Sequence, residues 1–280
     1  MNRKAYTLIE LLSVVIILAI ISVIAYPKII DAISISKITA YNTSKKNIVE
    51  SAKLKYLSSV NNSKIVQYTI DDLIGSGYLK KDIKNPLTND EYKDTKVLIT
   101  NDNNRISYDY IEGQLLSDYI INNKDNIGLF KDNDYIYKGI NCNNYISFNG
   151  IIYRIIKIDN YMNIYIIGDI VQKQIEKENE LEYINSYYND SYSQIAKLKI
   201  DSIDALDYND YTNTFDNDES FIQNNSDIYV KKNNKYSILS YLTNNVVDSN
   251  KANNRFVLKL KNSAVYKSGN GTQIDPYIID

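Results

Sequence analysis

Apolar and polar positions divide the chain into regions of different period. Within Tyr6–Tyr26, YTLIELLSVVIILAIISVIAY, no charged residue occurs from Leu11 to Tyr26. A helix over this stretch is about 31 Å long at ~1.5 Å per residue, the thickness of a bilayer core. One acid, Glu10, stands near its start, and Arg3 and Lys4 precede it. Cations ahead of an apolar span hold that end on the cytoplasmic side, so everything after Tyr26 is expected outside the membrane. Beyond Pro27 the pattern becomes amphipathic. Ile30, Ile33, Ile38, Tyr41, Ile48, Ala52 and Tyr56 share one wide helical face, with Lys28, Lys46 and Lys53 opposite. One helix is therefore predicted from Tyr6 to about Ser59, with Pro27 as its point of weakness, because proline removes a backbone hydrogen bond.

Shorter periods follow. Thr69 and Asp72 have the spacing of a capping box for a short helix, with Gly75 or Gly77 as its stop. Val97–Ile99 and Ile106–Tyr108 flank an Asn/Asp-rich turn and predict a hairpin. Residues 118–134 are polar and read as a linker. Four strands are then predicted at Tyr135–Ile140, Tyr145–Phe148, Ile151–Ile158 and Asn163–Ile170, with Asn149-Gly150 as a tight hairpin turn. Leu181, Ile184, Tyr188, Tyr192, Ile195 and Leu198 are placed on one helical face. Residues 201–227, acidic and Asn-rich, are expected to form a long exposed loop.

Charge and composition narrow the chemistry. The net charge is -2, but residues 1–60 hold eight Lys/Arg against three Asp/Glu, which leaves -7 for the remainder. An acidic exterior portion is not a nucleic-acid footprint, and no direct nucleic-acid partner is expected. The single cysteine, Cys142, excludes an intrachain disulfide. Histidine is absent, which removes the commonest general base and metal ligand and argues against an enzyme. No cofactor or resident metal is expected. The nearest approach to a cation site is the group Asp207, Asp210, Asp216 and Asp218, with Glu219 beside it. These oxygens suit Ca²⁺, but they lack the Asp-x-Asp-x-Asp-Gly spacing, so a solvated loop is preferred. Gly269-Asn270-Gly271 reads as a tight turn before it reads as an anion cradle.

A cleaved secretory signal explains the apolar run poorly, since the run is long and ends at Tyr26-Pro27-Lys28 without small-x-small residues. An ordinary anchor explains Glu10 poorly, because an acid within a span costs roughly 3 kcal/mol at its centre and somewhat less near its end. The order Lys4-Ala5-Tyr6-Thr7-Leu8-Ile9-Glu10-Leu11-Leu12 resembles the amino-terminal signal of type IV prepilins and of secretion and competence pseudopilins. The resemblance implies cleavage between Ala5 and Tyr6 by prepilin peptidase and N-methylation of Tyr6. It also implies that Glu10 meets the new amine of a neighbouring subunit and that Pro27 is where the stem loosens in filaments. Ala5 stands where the family usually has Gly, and Tyr6 where it usually has Phe. The segments 69–88, 143–169 and 257–277 are similar to the connecting loop and accessory domain of prepilin-like proteins from low-GC Gram-positive bacteria, with Tyr153 in the place of a usual Trp.

The expected fold is α+β. A membrane-spanning stem helix packs on a small antiparallel sheet, followed by a mainly antiparallel β module with one or two helices. The expected divisions are a leader at 1–5, a stem at 6–60 that spans the membrane over 6–26, and a pilin-like head at 61–117. A linker at 118–134 and an accessory domain at 135–280 complete them. The expected role is a minor or tip subunit of a type IV pilus or pseudopilus. Its partners would be prepilin peptidase, other pilin or pseudopilin subunits, the inner-membrane assembly platform with its ATPase, and membrane lipid. The alternative is a single-pass anchored binding module that does not polymerise.

Overall fold

The computed structural model describes residues 8–59, 63–102, 105–123 and 126–279. The chain forms two compact units, Met1–Asn61 with Tyr68–Lys93, and Asn62–Gln67 with Asp94–Asp280.

The first unit is built on α1 (Leu8–Ser58), whose backbone stays helical through Pro27. Thr39 and Thr43 donate their hydroxyls to the carbonyls of Ile35 and Thr39, each at 2.9 Å, so these mid-helix hydroxyls find acceptors within the helix itself. Ile48, Ala52 and Tyr56, spaced by one turn, are buried, whereas Ile30, Ile33 and Ile38 on the same predicted face are exposed. After β1 (Ile65–Thr69), which straddles the two units, comes α2 (Ile70–Gly75). Its capping box is complete. Thr69 N–H donates to Asp72 Oδ2 at 2.9 Å, and Asp72 N–H donates to Thr69 Oγ1 at 3.1 Å. These bonds from Thr69 hold the Asp72 carboxyl below its ordinary range. Lys55 Nζ donates to the Asp72 carbonyl at 2.8 Å and lies over the Tyr68 ring, joining the end of α1 to α2.

In the second unit β1 begins a three-stranded sheet of order β1-β2-β3, with β2 (Thr95–Asp102) and β3 (Arg105–Glu112) antiparallel. Leu98, Ile111 and Leu115 form its core, with Ile65 and Val265 against them. Residues 118–134 hold most of α3 (Leu116–Asn122), whose Leu116 and Ile120 are fully buried, and β4 (Leu129–Lys131).

The remaining strands join β4 in the large sheet. They are β5 (Tyr135–Tyr137, paired with β4), β6 (Tyr145–Phe148), β7 (Ile151–Ile158), β8 (Ile164–Ile167) and β9 (Val171–Glu176). Helices α4 (Glu180–Ser191) and α5 (Gln194–Lys199) precede β10 (Ile200–Asp207), and α6 (Tyr208–Asn213) follows it. Then come β11 (Ile228–Lys232), β12 (Lys235–Leu239), β13 (Val246–Val247), β14 (Lys251–Asn254), β15 (Phe256–Leu260), β16 (Tyr266–Ser268) and β17 (Tyr277–Ile279). The main path runs β13-β12-β11-β10-β15-β8-β7-β6-β17-β16. Along it β10–β11 and β6–β17 are parallel, and the pairs from β10 through β15, β8 and β7 to β6 are antiparallel. The fold is thus α+β, with one long N-terminal helix and a β-rich remainder. Its core joins aliphatic and aromatic side chains in one buried cluster: Ile155, Ile158, Ile164, Ile166, Leu206, Leu258 and Leu260 with Tyr137, Phe148 and Tyr277 among them.

The β6–β7 hairpin turns at Asn149-Gly150, both left-handed at φ 52° and 77°, and pairs Phe148 with Ile151. In the next turn Asp159 Oδ1 accepts the N–H groups of Tyr161 and Asn163 at 2.8 and 2.9 Å. Near the C-terminus Asn270 and Gly271 both donate their N–H groups to the Asp275 carbonyl, so this loop is a closed turn whose donors are spent internally.

Two expectations are corrected. The helical face over 181–198 is two helices, because the Ser193 side chain accepts from Ala196 N–H and starts α5 afresh; Leu181, Ile195 and Leu198 are exposed. Residues 201–227 are not one exposed loop, since β10 and α6 occupy 200–213.

Glu180, at the start of α4, is fully buried beside the Asn254 amide, and burial pushes its carboxyl up from 4.5 to about 7. Nearby Asp204 adds to that shift and Asn254 opposes it. The folded state therefore holds the proton more tightly than the unfolded chain. Stability is greatest where the group is neutral in both states, falls as pH rises from about 4.5 to about 7, and then levels off. Glu180→Gln is expected to remove a decline of order 3 kcal/mol across that window. Urea unfolding at pH 5 and pH 8 measures it, and an unaltered slope in the variant would show that Glu180 ionises freely.

Candidate functional site

The candidate site of processing and assembly lies at the start of the chain. Ala5 and Tyr6 fall outside the described residues. Glu10 and Pro27 lie in the α1 backbone, and their side chains are likewise outside the description. What is described of this segment is its surface. Every described side chain from Leu11 to Ala40 is exposed. Leu11, Val14, Val15, Ile16, Ile17 and Ile21 are each at least half exposed, at positions that cover the full circumference of a helix. A helix apolar on all sides is covered by something other than water when it works. The change comes within two turns after Tyr41: Ile48, Ala52 and Tyr56 are buried, and Ser44 shares a 2.8 Å hydrogen bond with Tyr92 of the same unit. Among the described residues no helix is long and apolar enough to cross a membrane; the apolar run of α1 includes positions 18–20 and 22–27, whose side chains lie outside that description.

The acidic candidates of the second unit do not converge. Asp207 caps α6, accepting from Asn209 N–H at 2.8 Å and from Asp210 N–H at 3.3 Å. Asp210 pairs with Lys157 at 2.6 Å, and Lys157 also lies 3.7 Å from Asp134. Burial raises the Asp210 pKa, and Lys157 works against that. Asp216 and Glu219 close a small turn through their backbones, with Asn217 and Asp218 left-handed between them. Among the described residues no group of three or more His, Cys, Asp or Glu is placed to hold a metal ion. Cys142 is buried, and burial pushes its thiol up to about 11, as for an inert core cysteine.

Two polar features of the second unit were not singled out from the sequence: the buried Glu180–Asn254 pair and a cavity above Arg255. Glu180 opens a helix whose spacing gives no hint of an inward carboxylate. Arg255 is one cation between two strands, and the residues that surround it come from distant segments.

An α+β protein whose first helix has an uncovered apolar half belongs, by that geometry, with proteins that are anchored or assembled through a helix. Residues 1–26 match the family model described as the prokaryotic N-terminal methylation motif, which is the prepilin-type cleavage and methylation signal. No curated protein and no solved structure matches the chain. The motif marks the chain as a type IV pilin-like substrate of prepilin peptidase, and it points to a structural subunit that assembles with other pilin subunits rather than to an enzyme.

Proposed function

We propose that the chain is a minor or tip subunit of a type IV pilus or of a competence- or secretion-type pseudopilus. In this reading prepilin peptidase cuts between Ala5 and Tyr6 on the cytoplasmic side and methylates Tyr6. The segment 6–26 then rests in the membrane with the rest of the chain outside. A platform driven by a cytoplasmic ATPase lifts the subunit into a helical bundle on the cell surface. Residues 6–60 act as stem, 61–117 as pilin-like head and 135–280 as accessory domain, with the α3 and β4 segment of 118–134, itself part of the second compact unit, between them in sequence. The bulk of the accessory domain supports a minor or tip position, because a large appendage is hard to repeat along a closely packed fibre.

One observation carries the reading: the exposed apolar surface that α1 presents at Leu11, Val14, Val15, Ile16, Ile17 and Ile21, within a matched cleavage and methylation motif. Lipid satisfies that surface before assembly and neighbouring stems satisfy it afterwards. Because lipid is as apolar as the helices, apolar contact alone gives little drive to assemble, and a polar contact must set the register. Glu10 is that contact, and the amine freed at Tyr6 is its partner.

Mass spectrometry of exported protein tests the first step. The mature chain is expected to begin at Tyr6 and to carry one added methyl group. A chain beginning at Met1 would instead leave a single-pass anchored binding module that does not polymerise.

A further inference from the structure

Arg255 is the residue between β14 and β15. It is only 7% exposed, and burial holds its pKa down at about 10. Its Nε donates to the Gly168 carbonyl at 2.9 Å, and its Nη1 donates to the Gln223 carbonyl at 2.7 Å and to Asn224 Oδ1 at 3.0 Å. Nη2 has no hydrogen-bond partner among the described residues; Asp169 acts electrostatically on the guanidinium, raising its pKa against burial, without a direct ion pair among the described residues. The bond to Oδ1 fixes the Asn224 amide, and its Nδ2 is buried without a partner. A buried guanidinium offset only by a carboxylate that does not pair with it directly is incompletely compensated, and a carboxylate seated on it would complete that compensation.

The cavity it lines measures about 380 Å³, the size of a small-molecule pocket. The rest of its wall is polar: Asp169, Gln172, Gln223, Asn224 and Asn225, with Ile170 as the apolar side chain. Gln172 is held from behind, because its Oε1 accepts from Asn253 Nδ2 at 3.4 Å, and Asn253 also donates to Ser226 Oγ at 3.0 Å. Carboxamides and a carboxylate suit a ligand rich in hydroxyl groups, whereas a peptide side chain needs a larger apolar wall. Asp169, in the same cavity, disfavours a doubly charged phosphate. A second cavity of about 400 Å³ shares Gln223 and Asn224 and is lined by Tyr211, Phe215 and Tyr241. Tyr211 is fixed by a 2.9 Å hydrogen bond to Asn244 and stands edge-on to Phe215, while Tyr241 is exposed. Aromatic faces of this kind stack on the apolar face of a sugar ring.

We propose that these adjoining cavities bind an acidic oligosaccharide, the carboxylate of a uronic-acid-type sugar on Arg255 and a neighbouring ring against Phe215 and Tyr241. Such a site would give the exterior part of the chain a surface polymer to hold.

Calorimetric titration of the full chain in detergent with trigalacturonate, a glucuronate-containing tetrasaccharide, methyl-esterified trigalacturonate and inorganic phosphate tests this. At least one acidic oligosaccharide is expected to bind, with the ester of trigalacturonate about tenfold weaker than the acid if that acid is the binder, as for loss of one charge-assisted contact. Phosphate at equal concentration is expected not to displace the sugar. Tyr241→Ala, at an exposed position, is expected to weaken binding about fivefold. Asp169→Asn is expected to strengthen binding of the acid about threefold and leave the ester unchanged. Arg255→Gln is expected to abolish acid-specific binding; should that variant fail to fold, Asp169→Asn and Tyr241→Ala carry the test. Failure of both acidic sugars to bind, equal binding of acid and ester, or displacement by phosphate would overturn the proposal.

Discussion

Glu10→Ala protein is expected to enter the membrane as efficiently as the parent and to be depleted from surface fibres by at least about tenfold, since a charge near the end of a span is worth somewhat less than the roughly 3 kcal/mol it is worth at the centre, still more than the ~1.4 kcal/mol of a tenfold change. The direction follows from where the acid gains and loses. During insertion the carboxylate is a burden, so its removal favours the span. During assembly it is the group in the apolar run that can distinguish one register of neighbouring stems from another, and its removal leaves only contacts that lipid offers equally well. In the proposed reading, a spacing of four residues from Tyr6 to Glu10 would also let the freed amine pair within its own chain if the helix extended to it. An intersubunit bond must then outcompete that internal one, which makes assembly sensitive to shortening as well as to deletion. Immunoblots of sheared-fibre and membrane fractions read the effect directly. A normal share of Glu10→Ala protein in fibres would remove the electrostatic register from the mechanism, even if cleavage after Ala5 proceeds.

The parts of the fold legible in the sequence are those decided locally. Thr69 and Asp72 cap α2 because both partners lie within one turn. Asn149-Gly150 closes its hairpin because both residues tolerate left-handed backbone. The apolar run of α1 reads correctly as helix for the same reason. The errors are tertiary. Residues 201–207 look like loop because Asp201 and Asp204 interrupt the apolar pattern. In the structure β10 sits between β15 and β11, and its acids are met from those neighbours, Asp201 by Lys259 at 3.0 Å and Asp204 by Lys231. Cross-strand charge pairs of this kind make a strand out of a sequence that cannot announce it. Likewise the apolar spacing over 181–198 continues across Ser193, where a capping hydroxyl ends one helix and begins the next. At the processing site, the motif was legible because a peptidase reads it as sequence. The Arg255 cavity was not, because Gly168, Gln223 and Asn224 reach it only through the sheet.

Leu258→Ala is expected to cost about 2–5 kcal/mol, the range for truncating a buried leucine where the surroundings cannot close the gap. Leu258 is fully buried in β15, opposite Ile203 of β10 on one side and Ile166 of β8 on the other. A sheet held by ladders on both edges cannot collapse into the hole, so the upper part of the range applies. Against a typical total of ~5–15 kcal/mol this is a large fraction. With a urea dependence of ~2 kcal/mol per molar, the midpoint falls by about 2 M. Leu242→Ala, at a position 77% exposed, is the matched control and is expected to shift stability by less than about 0.5 kcal/mol. The pair also separates processing from folding. The matched motif lies within residues 1–26, so under the proposed function Leu258→Ala precursor is expected to be cut and methylated still, while its β-rich unit is degraded. Recovery of uncut Leu258→Ala precursor would mean that the enzyme requires the folded β-rich unit, and that the motif alone is not what it reads.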